Sequence, residues 1–323
     1  MNCIKRIVEY IIVFFVIISF NFFIPRLMPG DPFTFLSSDE GSVHSSYTDE
    51  QIEKYKAYYG LDKPLWEQYK DYICNLFRGD LGYSIYYNEA VSSIILKRVV
   101  WTIGIVVISI ILSSLLGIFV GAFSAWHRNS SIDKVIYSIM IVFSEIPSFL
   151  IAMLLLFGLA ADMGWFPLSG GITVFGEYGN VFEKIKDIVH HGFLPVLALV
   201  LSQTGGYYLL SRNSMITVLS KDYMLTAAGK GLDNRRIIFR HGLKNAILPV
   251  ITRIFMNLGS VFGGAILVEN VFSYPGIGRL MREAVMVRDY ALMQGIFLNI
   301  CILVLTMNFL ADIVCRKIDP RVD

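Results

Sequence analysis

Long apolar runs separated by polar stretches dominate the chain. A helix that crosses a bilayer needs about 20 mostly apolar residues. Backbone amides and carbonyls find no water in lipid, so a helix is the conformation expected of each such run. The pattern therefore predicts an all-α integral membrane protein with six transmembrane helices, which cover residues 7–24, 99–125, 135–160, 193–216, 246–268 and 291–314.

The polar segment 26–98, between the first two runs, carries helical signals of its own. Thr48 begins a capping-box pattern, Pro64 suits the start of a second helix, and Gly79 suits its end. We therefore divide the chain into three parts, namely a first transmembrane helix (1–25), an extracytoplasmic helical segment (26–98) and a five-helix core (99–323) with an inner loop, 217–245.

Positive charges set the expected orientation, because Lys and Arg in short loops favour the cytoplasmic side. The inner loop 217–245 has the densest group of them. The other positive residues expected on this side are Lys5, Arg6, Arg128, Lys134, Arg316, Lys317 and Arg321. The outer segments also carry positive residues, namely Lys184, Lys186, Arg279, Arg282 and Arg288. The balance predicts that both termini are cytoplasmic.

The composition agrees with a membrane location. Hydrophobic residues make up 55% of the chain and charged residues only 17%, whereas globular chains are about a quarter charged. The net charge of +2 does not indicate nucleic-acid binding, because the basic residues do not gather on one soluble face. The four cysteines are widely scattered and suggest neither a disulfide framework nor a zinc site.

Small residues cluster in the inner loop around Ala227 and Gly231. The pattern predicts a short helix, a glycine turn at Gly231 and a second, basic amphipathic helix that Asp233 caps. Small side chains let backbones approach closely, so one interpretation is an element that docks into another protein. The alternative is an amphipathic connector that lies on the anionic inner leaflet.

Catalytic motifs are missing from the sequence. There is no His-Glu-x-x-His zinc motif and no Gly-x-Ser-x-Gly elbow. A Walker A motif is also missing, because Gly231 rather than Ser or Thr follows Gly229-Lys230, and Met224 stands where the first glycine belongs. We do not expect an enzyme. The rival hypotheses are an intramembrane enzyme and a passive channel, although a channel would not need a docking loop.

The inner loop is similar to the EAA loop of ABC-importer permeases, which docks into the ATPase subunit. Leu225-Thr226-Ala227 stands at the Glu-Ala-Ala positions and Gly231 at the glycine, while the glutamate and the later Ile-x-Leu-Pro are missing. These departures match the peptide and nickel branch of binding-protein-dependent permeases. Six further motifs match that branch in order: Pro29-Gly30-Asp31-Pro32, Gly60-Leu61-Asp62-Lys63-Pro64-Leu65, Arg78-Gly79-Asp80-Leu81-Gly82, the segment from Phe272 to Leu280, Arg288-Asp289-Tyr290, and Asp319-Pro320-Arg321.

The chain thus resembles the B-type permease of oligopeptide, dipeptide and nickel importers. The resemblance implies the type I ABC importer fold and half of a pathway for di- or oligopeptides, with nickel or another metal complex as the alternative. It implies a heterodimer with a second permease, two ATPase subunits that hold ATP and Mg²⁺, an extracytoplasmic substrate-binding protein, and a bacterial or archaeal cell membrane. It implies no cofactor on this chain and no nucleic acid. The residues assigned to ATPase docking are Asp222, Tyr223, Thr226, Ala227, Ala228, Gly229, Lys230, Gly231, Arg240 and His241.

Glu145 interrupts the third apolar run next to Pro147. A charged residue at the bilayer centre costs about 2.5–3.5 kcal/mol on insertion scales, so it usually faces a cavity or a partner. Glu145 therefore either lines the translocation pathway, where it would meet a cationic group, or bonds a neighbouring helix. Gln203 and Asn257 are further pathway candidates, and helix packing is the alternative for both.

The last candidates lie in the outer segments. Pro275, Gly276 and Gly278 fall within a predicted loop at 274–280 that either gates the outer mouth or forms an ordinary tight turn. His190 and His191 are adjacent, and neighbouring side chains do not share one helix face. We therefore predict no metal site.

Overall fold

The computed structural model describes residues 3–27, 49–58, 60–229, 233 and 237–318, and within these ranges the fold is nearly all helical. No β-strand occurs in them apart from one isolated antiparallel bridge between Tyr83 and Ala90. The predicted all-α class is confirmed at this level. Thr48, the expected capping residue, and Lys230 and Gly231 of the inner loop lie outside the described residues.

The helices follow in a simple order, and we number them along the chain. They are α1 (Cys3–Arg26), α2 (Asp49–Tyr58), α3 (Leu65–Phe77), α4 (Val91–Trp126), α5 (Ser131–Glu145), α6 (Ser148–Leu155), α7 (Val181–Leu219), α8 (Asp222–Gly229), α9 (Leu248–Val271), α10 (Ile277–Met286) and α11 (Tyr290–Ile318). Shorter helical pieces are the π-helical Leu156–Asp162, which continues α6, the π-helical Ile237–Leu243, and Lys244–Ala246.

Three of these helices, α4, α7 and α11, are long and apolar enough to cross a membrane, judged over the described part of the chain. The count is four if α5 and α6, with its π-helical continuation, form one crossing. Their axes differ by 99° at the break. The break has a local cause, because a residue before proline avoids the helical region. Ile146 is accordingly extended (φ −82°, ψ 120°) and Pro147 precedes the first residue of α6.

Several helices extend beyond the apolar runs that predicted them. Helix α7 begins at Val181, twelve residues before the run 193–216, because Asn180 caps it by accepting a hydrogen bond from the Glu183 amide at 2.9 Å. Its 39 residues span about 58 Å at the usual rise per residue, against about 30 Å of hydrocarbon. Hydropathy therefore locates the apolar part of this helix but not its ends.

Two compact units divide the chain. The first comprises Met1–Val100 and Arg279–Leu303. Aromatic contacts hold its first helix, because the buried Phe22 ring lies 5.2 Å from Tyr69 and 5.6 Å from Tyr72. Helix α3 starts directly after Pro64, as predicted, and Gly79 follows its end with a left-handed φ of +76°.

The second unit comprises Trp101–Gly278 and Val304–Asp323. Glycines allow its helices to approach closely. A Cβ atom built on Gly117 would lie 2.5 Å from the Tyr207 Cβ, and one built on Gly121 would lie 2.8 Å from the Ser211 Cβ. Helices α4 and α7 therefore pack backbone to backbone, as small residues permit in membrane helices.

Candidate coupling, pathway and gate sites

The short helix predicted in the inner loop is present as α8. It starts three residues after α7 ends at Leu219. Asp222, Tyr223, Thr226 and Gly229 are all exposed. On the opposite side Met224 is buried and packs with Ile237, Val218 and Leu219. Helix α8 therefore presents a polar surface and is held through a small apolar cluster.

The chain returns from α8 through a π-helical turn, Ile237–Leu243, rather than the regular amphipathic helix that the sequence predicts. Its first amide donates to the Asp233 carbonyl at 3.0 Å. Gly242 lies against α7, because a Cβ there would be 2.6 Å from the Met215 Cε. The return segment is therefore seated on the end of α7. The side chains of Ala227, Ala228, Arg240 and His241 lie outside the described residues.

Glu145 is the last residue of α5 and its side chain is exposed. It forms neither a hydrogen bond nor an ion pair with the residues that the structure describes. The residues beside it are in close contact with other helices. A Cβ on Gly205 of α7 would lie 2.7 Å from the Ser144 Cβ, while the Ser148 hydroxyl lies 3.5 Å from the Gly264 carbonyl of α9. At the break the chain thus stays beside α7 and gains α9 as a second packing partner.

The other two pathway candidates lie near the same stretch of α7. Gln203 is half-buried, and its buried Oε1 accepts no hydrogen bond within the described residues. Asn257 of α9 donates from Nδ2 to the Tyr207 hydroxyl at 3.3 Å. Because Gln203 and Tyr207 are four residues apart, they share one face of α7. The Tyr207–Asn257 hydrogen bond therefore joins α7 to α9 on the face of α7 that also carries Gln203.

The segment 274–280, which the sequence predicts to be an outer loop, is not a loop throughout, because α10 begins at Ile277 and includes Gly278. Two side chains accept hydrogen bonds from the amides at the start of this helix. The fully buried Glu269 accepts from the Gly278 amide at 2.6 Å, and the Thr102 hydroxyl accepts from the Ile277 amide at 2.8 Å. These acceptors satisfy amides that a helix start leaves unpaired. Pro275 and Gly276 form the turn that precedes it.

Two glycines are required by this arrangement. A Cβ on Gly276 would clash with the Glu269 carboxylate, and one on Gly278 would lie 2.5 Å from the Ile266 Cα. Burial, together with the Glu269 carboxylate, raises the pKa of Tyr274 to about 12. Its phenol therefore stays neutral at physiological pH. We call residues 272–278 with Glu269 and Thr102 the outer turn.

The sequence analysis did not identify a buried ion pair in the second unit. Asp133 of α5 is buried and forms a bidentate ion pair with Arg212 of α7, at 2.9 and 2.8 Å. Ser124 of α4 also donates to this carboxylate. A local signal existed at Ser130, which caps α5 by accepting from the Asp133 amide. Nothing local indicated Arg212, 79 residues away.

The two adjacent histidines have separate contacts. His190 Nε2 lies 3.0 Å from the Trp165 carbonyl, and His191 Nδ1 lies 3.4 Å from the Asp187 carboxylate. Among the residues that the structure describes, no group of three His, Cys, Asp or Glu side chains is suited to a metal ion.

Relatives cover almost the whole chain. The oligopeptide transport system permease protein AppB of Bacillus subtilis is 34% identical over 94% of this chain and 93% of its own length. The dipeptide transport system permease protein DppB of Alkalihalophilus pseudofirmus is 32% identical over 94% and 93%. The glutathione transport system permease protein GsiC of Escherichia coli is 30% identical over 99% and 97%.

Solved structures support the fold. A chain of the MetNI methionine ABC transporter in an inward-facing conformation matches with a TM-score of 0.57 at 14% identity, over 70% of this chain and 96% of its own. A chain of an amino acid ABC transporter matches with a TM-score of 0.52 at 14% identity, over 70% and 94%. About 70% of the chain thus shares its fold with membrane transporter chains of known structure.

The comparison with protein families agrees with the sequence relatives and with the solved structures. Residues 2–106 match the family described as the N-terminal part of the binding-protein-dependent transport system membrane component. Residues 113–323 match the inner membrane component itself. The chain therefore belongs to the family of binding-protein-dependent transport system inner membrane components.

Proposed function

We propose that this permease forms half of the pathway through which an ATP-driven importer takes up di- or oligopeptides. The observation that carries the proposal is similarity over more than nine-tenths of both chains to permeases named for oligopeptides and dipeptides. A third relative is named for glutathione, which is itself a tripeptide. As a transport-system membrane component the chain is not an enzyme, and ATP and Mg²⁺ belong to partner subunits.

The proposed assembly contains a second, related permease, two ATPase subunits and an extracytoplasmic binding protein. In this chain α1, α4, the α5–α6 pair, α7, α9 and α11 would make six crossings, with both termini cytoplasmic. Residues 26–98 would form the extracytoplasmic segment and 99–323 the core. This proposed topology would put α8 on the cytoplasmic side, together with the ATPase subunits.

We propose that α8 docks into an ATPase subunit. Its polar face is exposed while Met224 holds it to the end of α7, so a movement of α8 would pass directly into α7. The docking residues are those that the resemblance assigns, Asp222, Tyr223, Thr226, Ala227, Ala228, Gly229, Lys230, Gly231, Arg240 and His241. Substrate would then cross by alternating access between the two permeases.

Glu145, Gln203 and Asn257 are the proposed pathway residues. The exposed carboxylate at the α5–α6 break suits a cationic group such as the amino terminus of a peptide. The outer gate would consist of Pro275, Gly276 and Gly278. Because the outer turn is braced by Glu269 of α9 and Thr102 of α4, we expect it to move together with these two helices rather than as a loose flap.

The test has two parts. The purified chain should bring down an ATPase through residues 222–245, and vesicles holding the full importer should take up a radiolabelled tripeptide when ATP is supplied. Ala227→Arg should abolish uptake without loss of the permease from the membrane, and Glu145→Gln should change uptake while the ATPase stays bound. The proposal fails if no ATPase is bound or if Ala227→Arg imports normally. Uptake of a nickel complex in place of the tripeptide would refute the peptide assignment alone.

A further inference from the structure

Asp133 and Arg212 form the centre of a closed polar network in the second unit. Arg212 donates to both carboxylate oxygens, and the Asn129 amide donates to one of them at 3.0 Å. Ser124 donates to the same carboxylate, so the Tyr208 hydroxyl, 2.7 Å away, must donate to Ser124. The network thus joins the end of α4, the start of α5 and the C-terminal part of α7.

The pair is buried, with 4% of the Asp133 side chain and 14% of the Arg212 side chain exposed. A buried ion pair is weak evidence for stability, because desolvating both charges offsets their attraction. A bidentate pair does fix geometry, since two parallel hydrogen bonds hold the guanidinium and carboxylate planes together. The distinctive property of this pair is therefore the relative position that it imposes on α5 and α7.

A second contact holds the same two helices further along. Gly205 of α7 lies against Ser144 of α5, and a Cβ there would also clash with the Met140 carbonyl. Position 133 thus pairs with position 212, and position 144 with position 205, so the helices are antiparallel. Two contacts at separate points prevent both sliding and rotation.

These two helices end at the proposed functional elements. Helix α7 ends at Leu219 and is followed by α8, whereas α5 ends at Glu145 and the break. We propose that Asp133 and Arg212 are positioning residues that make α5 and α7 one rigid lever, through which a movement of α8 reaches the helix break beside Glu145. This inference rests on the proposed docking of α8.

Distances between spin labels test the lever directly. Val142 of α5 and Thr217 of α7 are both exposed, and each would be replaced by a labelled cysteine after the four native cysteines are changed to serine. In the full importer we expect one and the same distance distribution without nucleotide and with trapped ATP. With Asp133→Asn added, the two states should differ or the distribution should broaden. A distance that changes on ATP binding in the unaltered network would overturn the proposal.

The amount of tripeptide imported per ATP hydrolysed distinguishes a positioning role of the ion pair from a role in stability alone. Asp133→Asn alone leaves a buried unpaired guanidinium, whereas Asp133→Asn with Arg212→Met removes both charges and should recover folding. We expect this double variant to hydrolyse ATP yet import about fivefold less tripeptide per ATP, at the lower end of typical coupling effects. Full recovery of import per ATP would overturn the proposal.

The matched control is Asn213→Ala, the exposed neighbour on α7, which should match the unaltered chain in both assays. A defect of the same size in this control would also overturn the proposal. Failure of the parent importer to bind an ATPase or take up the tripeptide would instead refute the proposed function, so the two failures are distinguishable.

Discussion

The outer turn and the inner helix α8 both lie in short connections between long helices, yet they are held in opposite ways. In the outer turn, Glu269 and Thr102 bond two backbone amides inside the protein. Helix α8 is held by a small apolar cluster around Met224 and leaves its polar residues exposed. The outer turn is thus complete within this chain, whereas the surface of α8 is suited to a partner.

The largest effect is expected from filling the outer turn. In Gly278→Ala the new methyl group would meet backbone atoms of Ile266, at 2.5 Å from Cα and 2.6 Å from the carbonyl oxygen. Backbone cannot move aside easily, so we expect a loss of about 3 kcal/mol, at the upper end for overpacking. Thermal unfolding of the purified permease measures this loss of stability.

The control for this variant is Gly206→Ala, also within a helix but with nothing within 4 Å of the new Cβ. Alanine has a higher helix propensity than glycine in a helix interior, so Gly206→Ala should not lower the unfolding midpoint. If the two variants had equal thermal unfolding midpoints, the outer turn would accommodate a methyl group as easily as an open site does. The contrast between the outer turn and α8 would then not hold.

A smaller effect is expected from removing one hydrogen-bond acceptor in the outer turn. Thr102→Val keeps the side-chain shape but leaves the buried Ile277 amide unpaired, which costs about 1–3 kcal/mol. Thr102→Ser keeps the hydroxyl and should retain most of the stability. The two unfolding midpoints are compared, and a valine variant as stable as the serine variant would show that the bond contributes nothing.

The smallest effect on the whole protein is expected at α8. Met224→Ala should loosen the helix locally, because its buried anchor is lost, while the global unfolding midpoint stays unchanged. Amide hydrogen exchange over 222–229, without ATPase, should speed up by about tenfold, equivalent to about 1.4 kcal/mol. Met224→Leu should exchange like the parent. A large drop in the midpoint would show that α8 is part of the global core.

Local patterns predicted what local interactions determine. Pro64 predicted the start of α3, because helix ends depend on nearby residues. The small residues around Ala227 predicted that a short helix, α8, is present. Hydropathy marked α4, α7 and α11, the three long apolar helices of the described residues, but misplaced the start of α7. The polar extension 181–192 is helical because Asn180 caps it. A count of apolar residues does not detect such a cap.

The contacts that hold the candidate sites could not be predicted in this way. Asp133 and Arg212 are 79 residues apart, and Thr102 and Ile277 are 175 apart. In a single sequence each of these residues has many equally plausible partners. The helix pair is bent by 99° beside Pro147, an angle that the apolar run 135–160 does not specify by itself.

The break between α5 and α6 also changes what the backbone offers. An unbroken helix pairs its own peptide groups and leaves only side chains for other molecules. Here the last carbonyls of α5 and the first amides of α6 are released from that pairing within a few residues of each other, with partial charges of opposite sign. A zwitterion could be attracted at both of its ends by peptide groups alone. Neutralising Glu145 would therefore remove one charge from this place without making it apolar.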